Sequence, residues 1–280
     1  MTLILGMSKP EGIYMCVDYR VTAPRTGAIV DDAAAKCLTV HYPPLGGGTK
    51  ALFAFTGIAN LPDGTPTLTW LRETIRGESE VPDQSLTHLK ARLNRDYGGL
   101  RQSLIINVLA LHQPDGRRFF GGFSNVRASA PSSPMPSFSY TMSDVNTSFL
   151  FGNGSGAIKA VADEKLAKMR SLLEVKPRQV TDHMKLLSIV NRRVAARDSR
   201  VSPYCKVSFI NADDRFSPTA RAFVERGESV PFDMPFILAG IDLTDMTRQV
   251  MDSAQAAREG RESPPTLDPL LINAHLRRRP

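Results

Sequence analysis

The 280-residue chain has only three cysteines, Cys16, Cys37 and Cys205. They are scattered and odd in number, which excludes a disulfide framework and any CxxC zinc site and fits a reducing cytoplasm. The five histidines, His41, His88, His112, His183 and His275, form no HxxxH or HxH pair. A zinc or iron site is therefore not expected, and no cofactor is called for. No apolar run reaches the ~18 residues of a membrane span, so no membrane partner is expected. The start, MTLILGMSKPEG, lacks a basic n-region and a long apolar stretch, so no signal peptide is expected. The chain shows no internal repeat and no GxGxxG behind a strand. Gly152-Asn153-Gly154-Ser155-Gly156 follows a strand but lacks the lysine and spacing of a phosphate loop.

At 42% hydrophobic and 22% charged residues, the chain is globular, and it is long enough to bury a core without staples. The net charge of +7 is partly carried by Arg277, Arg278 and Arg279. No zinc-finger, RNP or helix-turn-helix pattern accompanies it, so a nucleic-acid partner is not expected. A steep salt-dependent affinity for DNA or RNA would argue the opposite.

Residues 2–8 and 13–20 read as an antiparallel hairpin around the turn Lys9-Pro10-Glu11-Gly12. Short extended segments follow in 28–42, then a buried strand from Lys50 to Phe55. Two helices are expected next, one opened by Asp63-Gly64-Thr65-Pro66 with Leu68, Leu71 and Ile75 at helical spacing, the other over Gln84 to Tyr97. Strands at 103–113 and 117–125 precede a Ser/Pro-rich loop at 129–137 and strands at 138–143 and 147–152. Helices over about 157–173 and 178–198 and a strand at 205–211 complete the periodic part. Residues 212–280 read as a partly flexible extension of a 1–211 domain. Strands, two helices, strands, two helices, strand is an α+β order in which sheets pack face to face with helix pairs outside.

The chemistry begins at Thr2. With Met1 removed, one residue supplies a hydroxyl nucleophile and an amine whose pKa of about 7.7–8.0 suits it to take the proton. The hairpin turn makes paired positions sum to about 21, which puts Thr2 opposite Asp18 and Tyr19. An acid in the apolar run MCVDYR needs a partner. Lys36, in DDAAAKCLTVH, offers one, and a cation near the amine would lower its pKa.

In this order, TLILGMSKPEGIYMCVDYRVT, VDDAAAKCLTV and FAFTGIAN resemble the proteasome β-type subunits, N-terminal nucleophile hydrolases, and in particular their bacterial, self-compartmentalising members. FLFGNGSGAIKA and Arg197-Asp198-Ser199-Arg200-Val201-Ser202 are similar to further motifs of that family, the latter with one extra residue before Ser202. Asn60 stands where the family often carries Asp. The resemblance spans about residues 2–211. It implies a four-layer αββα sandwich of two antiparallel sheets flanked by helix pairs. It implies Thr2 as nucleophile, Asp18 and Lys36 as its charged pair, Gly57 as an oxyanion donor, and Ser155, Asp198 and Ser202 in support. Phe55, Ile58 and Tyr19–Val21 would line a specificity pocket, with a place in the core as the equal alternative for Phe55 and Ile58. The expected activity is a threonine-type peptidase, with no cofactor and no metal, on peptide or unfolded-protein substrates. Self-association into a ring or helical homo-oligomer is implied, and an ATP-dependent unfoldase is a conceivable partner. Two other readings stay open, a non-catalytic ring subunit of the same fold and an amidase acting on small molecules.

Overall fold

Strands β1 (Leu3–Lys9) and β2 (Gly12–Asp18) are buried along their whole length, so a charge on either needs a partner inside the protein. They form the expected hairpin, with partners from Ile4↔Val17 to Lys9↔Gly12 summing to 21. The computed structural model describes residues 2–23, 26–43, 48–76, 82–127, 130–154, 179–213, 218–224 and 235–244.

A short hairpin, β3 (Val21–Thr22) with β4 (Ile29–Asp31), follows, then β5 (Cys37–His41) and β6 (Thr49–Gly57). After β6 come α1 (Thr67–Ile75) and α2 (Pro82–Tyr97). The antiparallel strands β7 (Leu104–His112), β8 (Arg118–Arg127) and β9 (Ala130–Val145) precede β10 (Leu150–Gly154). Helix α3 (Val180–Ala195) leads to β11 (Cys205–Asn211), β12 (Pro218–Phe223), β13 (Phe236–Leu238) and β14 (Ile241–Asp242).

Two sheets result. One has five strands in the order β10-β1-β2-β11-β12, the other seven in the order β14-β13-β5-β6-β7-β8-β9. Pairing is antiparallel throughout these two sheets except between β13 and β5. The sheets share one apolar cluster, in which Ile4, Ile13, Met15 and Val17 of the first meet Cys37, Leu52, Ala54 and Leu109 of the second. Side chains alternate across a strand, so the same strands also face outward. Leu3, Leu5, Tyr14 and Cys16 pack against Met184, Leu187 and Val194 of α3. On the seven-stranded sheet, Leu38, Phe53 and Val108 pack against Trp70 and Leu71 of α1 and Leu89 and Leu93 of α2. The class is α+β.

The helices follow the expected spacing. Leu86, Leu89, Leu93 and Tyr97 bury one face of α2, and Trp70 of α1 meets Tyr97 edge-on at 5.1 Å. On α3, Met184, Leu187 and Val194 are buried, while Arg192 and Arg193 are exposed, as is Arg197 just past its end. The helix expected over 157–173 lies outside the described residues, as does the basic end of the chain.

The Ser/Pro-rich segment departs from expectation. β9 runs through it as a strand, with its register shifting opposite Ser124 to Arg127. The prolines are tolerated because β9 is an edge strand, so a missing N–H can face away from the ladder. Past residue 211 the chain supplies β12 at one edge of the first sheet and β13 and β14 at one edge of the second. These strands are short and lack strong alternation, so their partners rather than their own pattern define them. No helix among the described residues is long and apolar enough to cross a membrane.

Candidate active site

Asp18 is the last residue of β2 and is 1% exposed. Its carboxylate is held by three backbone donors. The Leu3 N–H donates to Oδ1 at 2.8 Å, and those of Arg20 and Ser202 donate to Oδ2 at 3.0 and 3.1 Å. Lys36 lies beside it, 3% exposed, with Nζ 3.6 Å from Oδ1. The ammonium also donates to the carbonyls of Asp18, at 3.1 Å, and Arg20. Asp18 Oδ1 therefore serves both the peptide joining Thr2 to Leu3 and the Lys36 ammonium. This is the partner that the acid in the apolar strand required.

Burial pushes the Asp18 carboxyl above its usual range, and the Lys36 ammonium and the N–H groups of Ser202, Leu3 and Arg20 oppose that shift. Burial likewise pushes Lys36 below the usual amine value, with Asp18 opposing. Desolvation thus brings the two pKa values toward each other.

Thr2 precedes β1 and is buried. Its backbone nitrogen donates to Thr56 Oγ1 at 3.3 Å, and that hydroxyl donates back to the Thr2 carbonyl at 3.2 Å. Gly154, at the end of β10, closes the other side. It pairs with Leu3 and has φ +86°, and a Cβ there would stand 1.8 Å from the Thr2 carbonyl oxygen. Thr2 is thus gripped through its backbone from both sheets.

The other expected residues are placed as follows. Ser202 reaches Asp18 through its backbone N–H, while its hydroxyl accepts from the Tyr204 N–H at 3.2 Å. Asp198 is buried, and its carboxylate takes both a 2.8 Å bond from Arg200 Nε to Oδ1 and a 2.8 Å bond from Arg200 Nη2 to Oδ2. Gly57 ends β6 opposite Leu104 with φ +109°, and a Cβ there would stand 1.9 Å from the Ser103 carbonyl oxygen. The close approach of this neighbouring backbone is why position 57 must be glycine. Ser155 lies outside the described residues. Phe55 and Ile58, read as either pocket lining or core, belong to the core beneath α1 and α2. The alternation of β6 turns Phe55 to the helix side, together with Phe53.

Thr56 was not anticipated at this site, and Arg20 was expected only as part of the pocket lining Tyr19–Val21. Thr56 is a single polar residue at the end of an apolar strand, beside the glycine already noted. Arg20 donates to both oxygens of Asp32, at 2.9 and 2.7 Å, and to the Ser199 carbonyl at 2.7 Å. It ties the turn after β2 to the segment that carries Asp198 and Ser202. Its position directly after Asp18-Tyr19 was the only signal for it. Among the described residues no cluster of His, Cys, Asp or Glu could hold a metal ion.

The fold and the site define a class first, an α+β protein with two stacked sheets and a buried acid–lysine pair at the end of its N-terminal hairpin. Comparison then gives one particular relative in structure. The chain is similar to the solved helical assembly of the Anbu complex from Pseudomonas aeruginosa, with a TM-score of 0.52 over 94% of this chain and 98% of that one. The two are 13% identical, so the likeness shows the fold alone. No family model matches the chain, and no curated protein matches it.

Proposed function

We propose that this protein is an N-terminal threonine hydrolase that cleaves peptide bonds. The observation that carries the reading is the sharing of Asp18 Oδ1 between the Leu3 N–H and the Lys36 ammonium. A buried carboxylate and a buried lysine cost several kcal/mol to desolvate. Here the carboxylate accepts the Leu3 N–H, next to the second residue, and faces the lysine.

Removal of Met1 frees the Thr2 amine. The Thr2 hydroxyl oxygen attacks the substrate carbonyl carbon while its proton passes to that amine. The tetrahedral oxyanion is met by backbone N–H, for which Gly57 is the candidate. Collapse breaks the C–N bond, the proton returns to the departing amine, and an ester on Thr2 remains. Water then hydrolyses the ester and regenerates the hydroxyl. Lys36, held by Asp18, favours the neutral amine by its charge. Ser202 and Asp198 steady the segment that supplies a donor to Asp18, and Ser155 is assigned a supporting role from the resemblance.

The same reading extends to architecture. With α1 and α2 outside one sheet and α3 outside the other, a second helix over 157–173 would complete the four-layer sandwich. Residues 1–211 would be the hydrolase unit, with the following strands closing sheet edges. Self-association is proposed because the structural neighbour is a helical assembly.

The test is direct. Intact mass of active protein should show loss of Met1, and Thr2→Ala should abolish both peptide hydrolysis and labelling by an electrophile that traps N-terminal threonine. Active protein that retains Met1 would refute the mechanism. A native mass corresponding to a monomer would refute self-association.

A further inference from the structure

An amide pair crosses the layer between the two sheets near the site. Asn153, on β10 of the first sheet, donates from Nδ2 to Asn107 Oδ1, on β7 of the second, at 3.0 Å. Asn107 is 3% exposed, and its Nδ2 is buried with no hydrogen-bond partner among the described residues. A leucine would fill such a place without that cost. The strand neighbours make room for the amide. Asn107 pairs with Ala54 on one side and Gly122 on the other, and a Cβ on Gly122 would stand 3.1 Å from the Asn107 Cα.

The amide pair leads to the nucleophile. Asn153 Oδ1 accepts the Gly154 N–H at 2.7 Å. Gly154 is the glycine whose missing Cβ lets it lie against the Thr2 carbonyl oxygen. That oxygen in turn accepts from Thr56, on β6 of the second sheet. Asn107, Asn153, Gly154, Thr2 and Thr56 therefore form a circuit that leaves the second sheet and returns to it, with Thr2 in the middle.

We infer that Asn107 and Asn153 are positioning residues for Thr2, a cross-sheet strut that fixes how closely the end of β10 approaches the nucleophile. The inference rests on the threonine-hydrolase reading. Neither residue meets the substrate. Their effect passes through Gly154, so substrate binding is spared and the chemical step is not. A displacement of about 1 Å at a reacting group costs on the order of 100-fold in rate.

The experiment uses the full-length protein with a fluorogenic peptide and a threonine-trapping electrophile. Asn107→Ala, Asn153→Ala and the double variant should each lower kcat ten-fold or more with KM within two-fold of wild type. The double variant should be no slower than the slower single variant, because one strut is broken once. Asn107→Leu, which fills the space with apolar atoms, should recover the thermal midpoint while kcat stays low. If kcat recovers together with the midpoint in Asn107→Leu, or if the single losses multiply in the double variant, the strut is refuted and the pair is only structural. If wild type with Met1 removed fails to label, the hydrolase reading falls and the positioning role falls with it. Labelling of wild type separates the two failures.

Discussion

Replacing Asp18 by asparagine changes one atom and tests the centre of the site. The carboxylate accepts at 2.8 Å from Leu3, 3.0 Å from Arg20 and 3.1 Å from Ser202, and faces Lys36 at 3.6 Å. An amide has one acceptor oxygen and one donor nitrogen. If the oxygen takes the Oδ1 place, the NH2 faces the Arg20 and Ser202 N–H groups. If it takes the Oδ2 place, the NH2 faces the Leu3 N–H and an ammonium. Either way at least one buried N–H loses its acceptor, at roughly 1–3 kcal/mol each, and Lys36 loses its counter-charge in a buried place. Breaking a buried pair from one side costs about 3–5 kcal/mol. The two figures overlap, so the expected loss is about 3–5 kcal/mol, a large part of a domain's stability. Lys36 without Asp18 moves further below its ordinary value, since only the opposing influence has been removed. Urea denaturation should give the stability loss, and labelling of Thr2 should fall by at least 100-fold. Lys36→Met is the control. It leaves the three N–H bonds to Asp18 in place, so the backbone donors stay satisfied while labelling is still lost. An Asp18→Asn variant that loses less than 1 kcal/mol and labels at the wild-type rate would refute this account of the site.

Two further outcomes follow from the same geometry. Gly154→Ala places a Cβ 1.8 Å from the Thr2 carbonyl oxygen and 2.9 Å from Thr56 Oγ1, on a backbone with φ +86°; it should displace the end of β10 and abolish turnover, seen as loss of peptide hydrolysis in protein whose circular dichroism is retained, and an active Gly154→Ala protein would contradict the packing. Tyr42, buried and hydrogen-bonded to Ser85 at 3.2 Å, has its hydroxyl pushed up to about 12 by burial, so the folded state prefers the neutral phenol; its contribution is complete below about pH 10 and is lost as pH rises through 12, roughly 3 kcal/mol in all, and Tyr42→Phe should flatten the fall of urea-unfolding stability over that window.

Much of the frame was legible because it is local. The turn at Pro10-Glu11 sets the register of the first hairpin, and register fixes which residue lies opposite which. That alone brought the start of the chain to Asp18, and the apolar run around Asp18 demanded a cation. The stripes on α1, α2 and α3 were equally readable, since each is a repeat within one element. Lys36 could be named as a candidate because it follows an acidic pair and precedes a buried strand.

Other features depend on chains far apart in sequence. The Ser202 N–H that completes the Asp18 cage is 184 residues away, and the Thr56 hydroxyl that bonds Thr2 is 54 residues away. Thr56 has no local signature, and Ser202 was named only through the resemblance of its segment to a family motif. A serine or threonine reads alike whether it caps a turn, faces water or grips a nucleophile. Phe55 and Ile58, beside a glycine turn, read equally as pocket or core, and only the stacking of α1 and α2 on that face made them core. The Asn107–Asn153 bond joins strands that no pattern pairs, because it crosses between sheets rather than along one. The sequence by itself determined the hairpin, the helical stripes and the need for a partner at Asp18, since short-range geometry and the cost of burying a charge follow from order alone. Only the tertiary structure decided which donors surround that carboxylate and how two sheets close on Thr2, because those contacts exist only once distant strands are packed face to face.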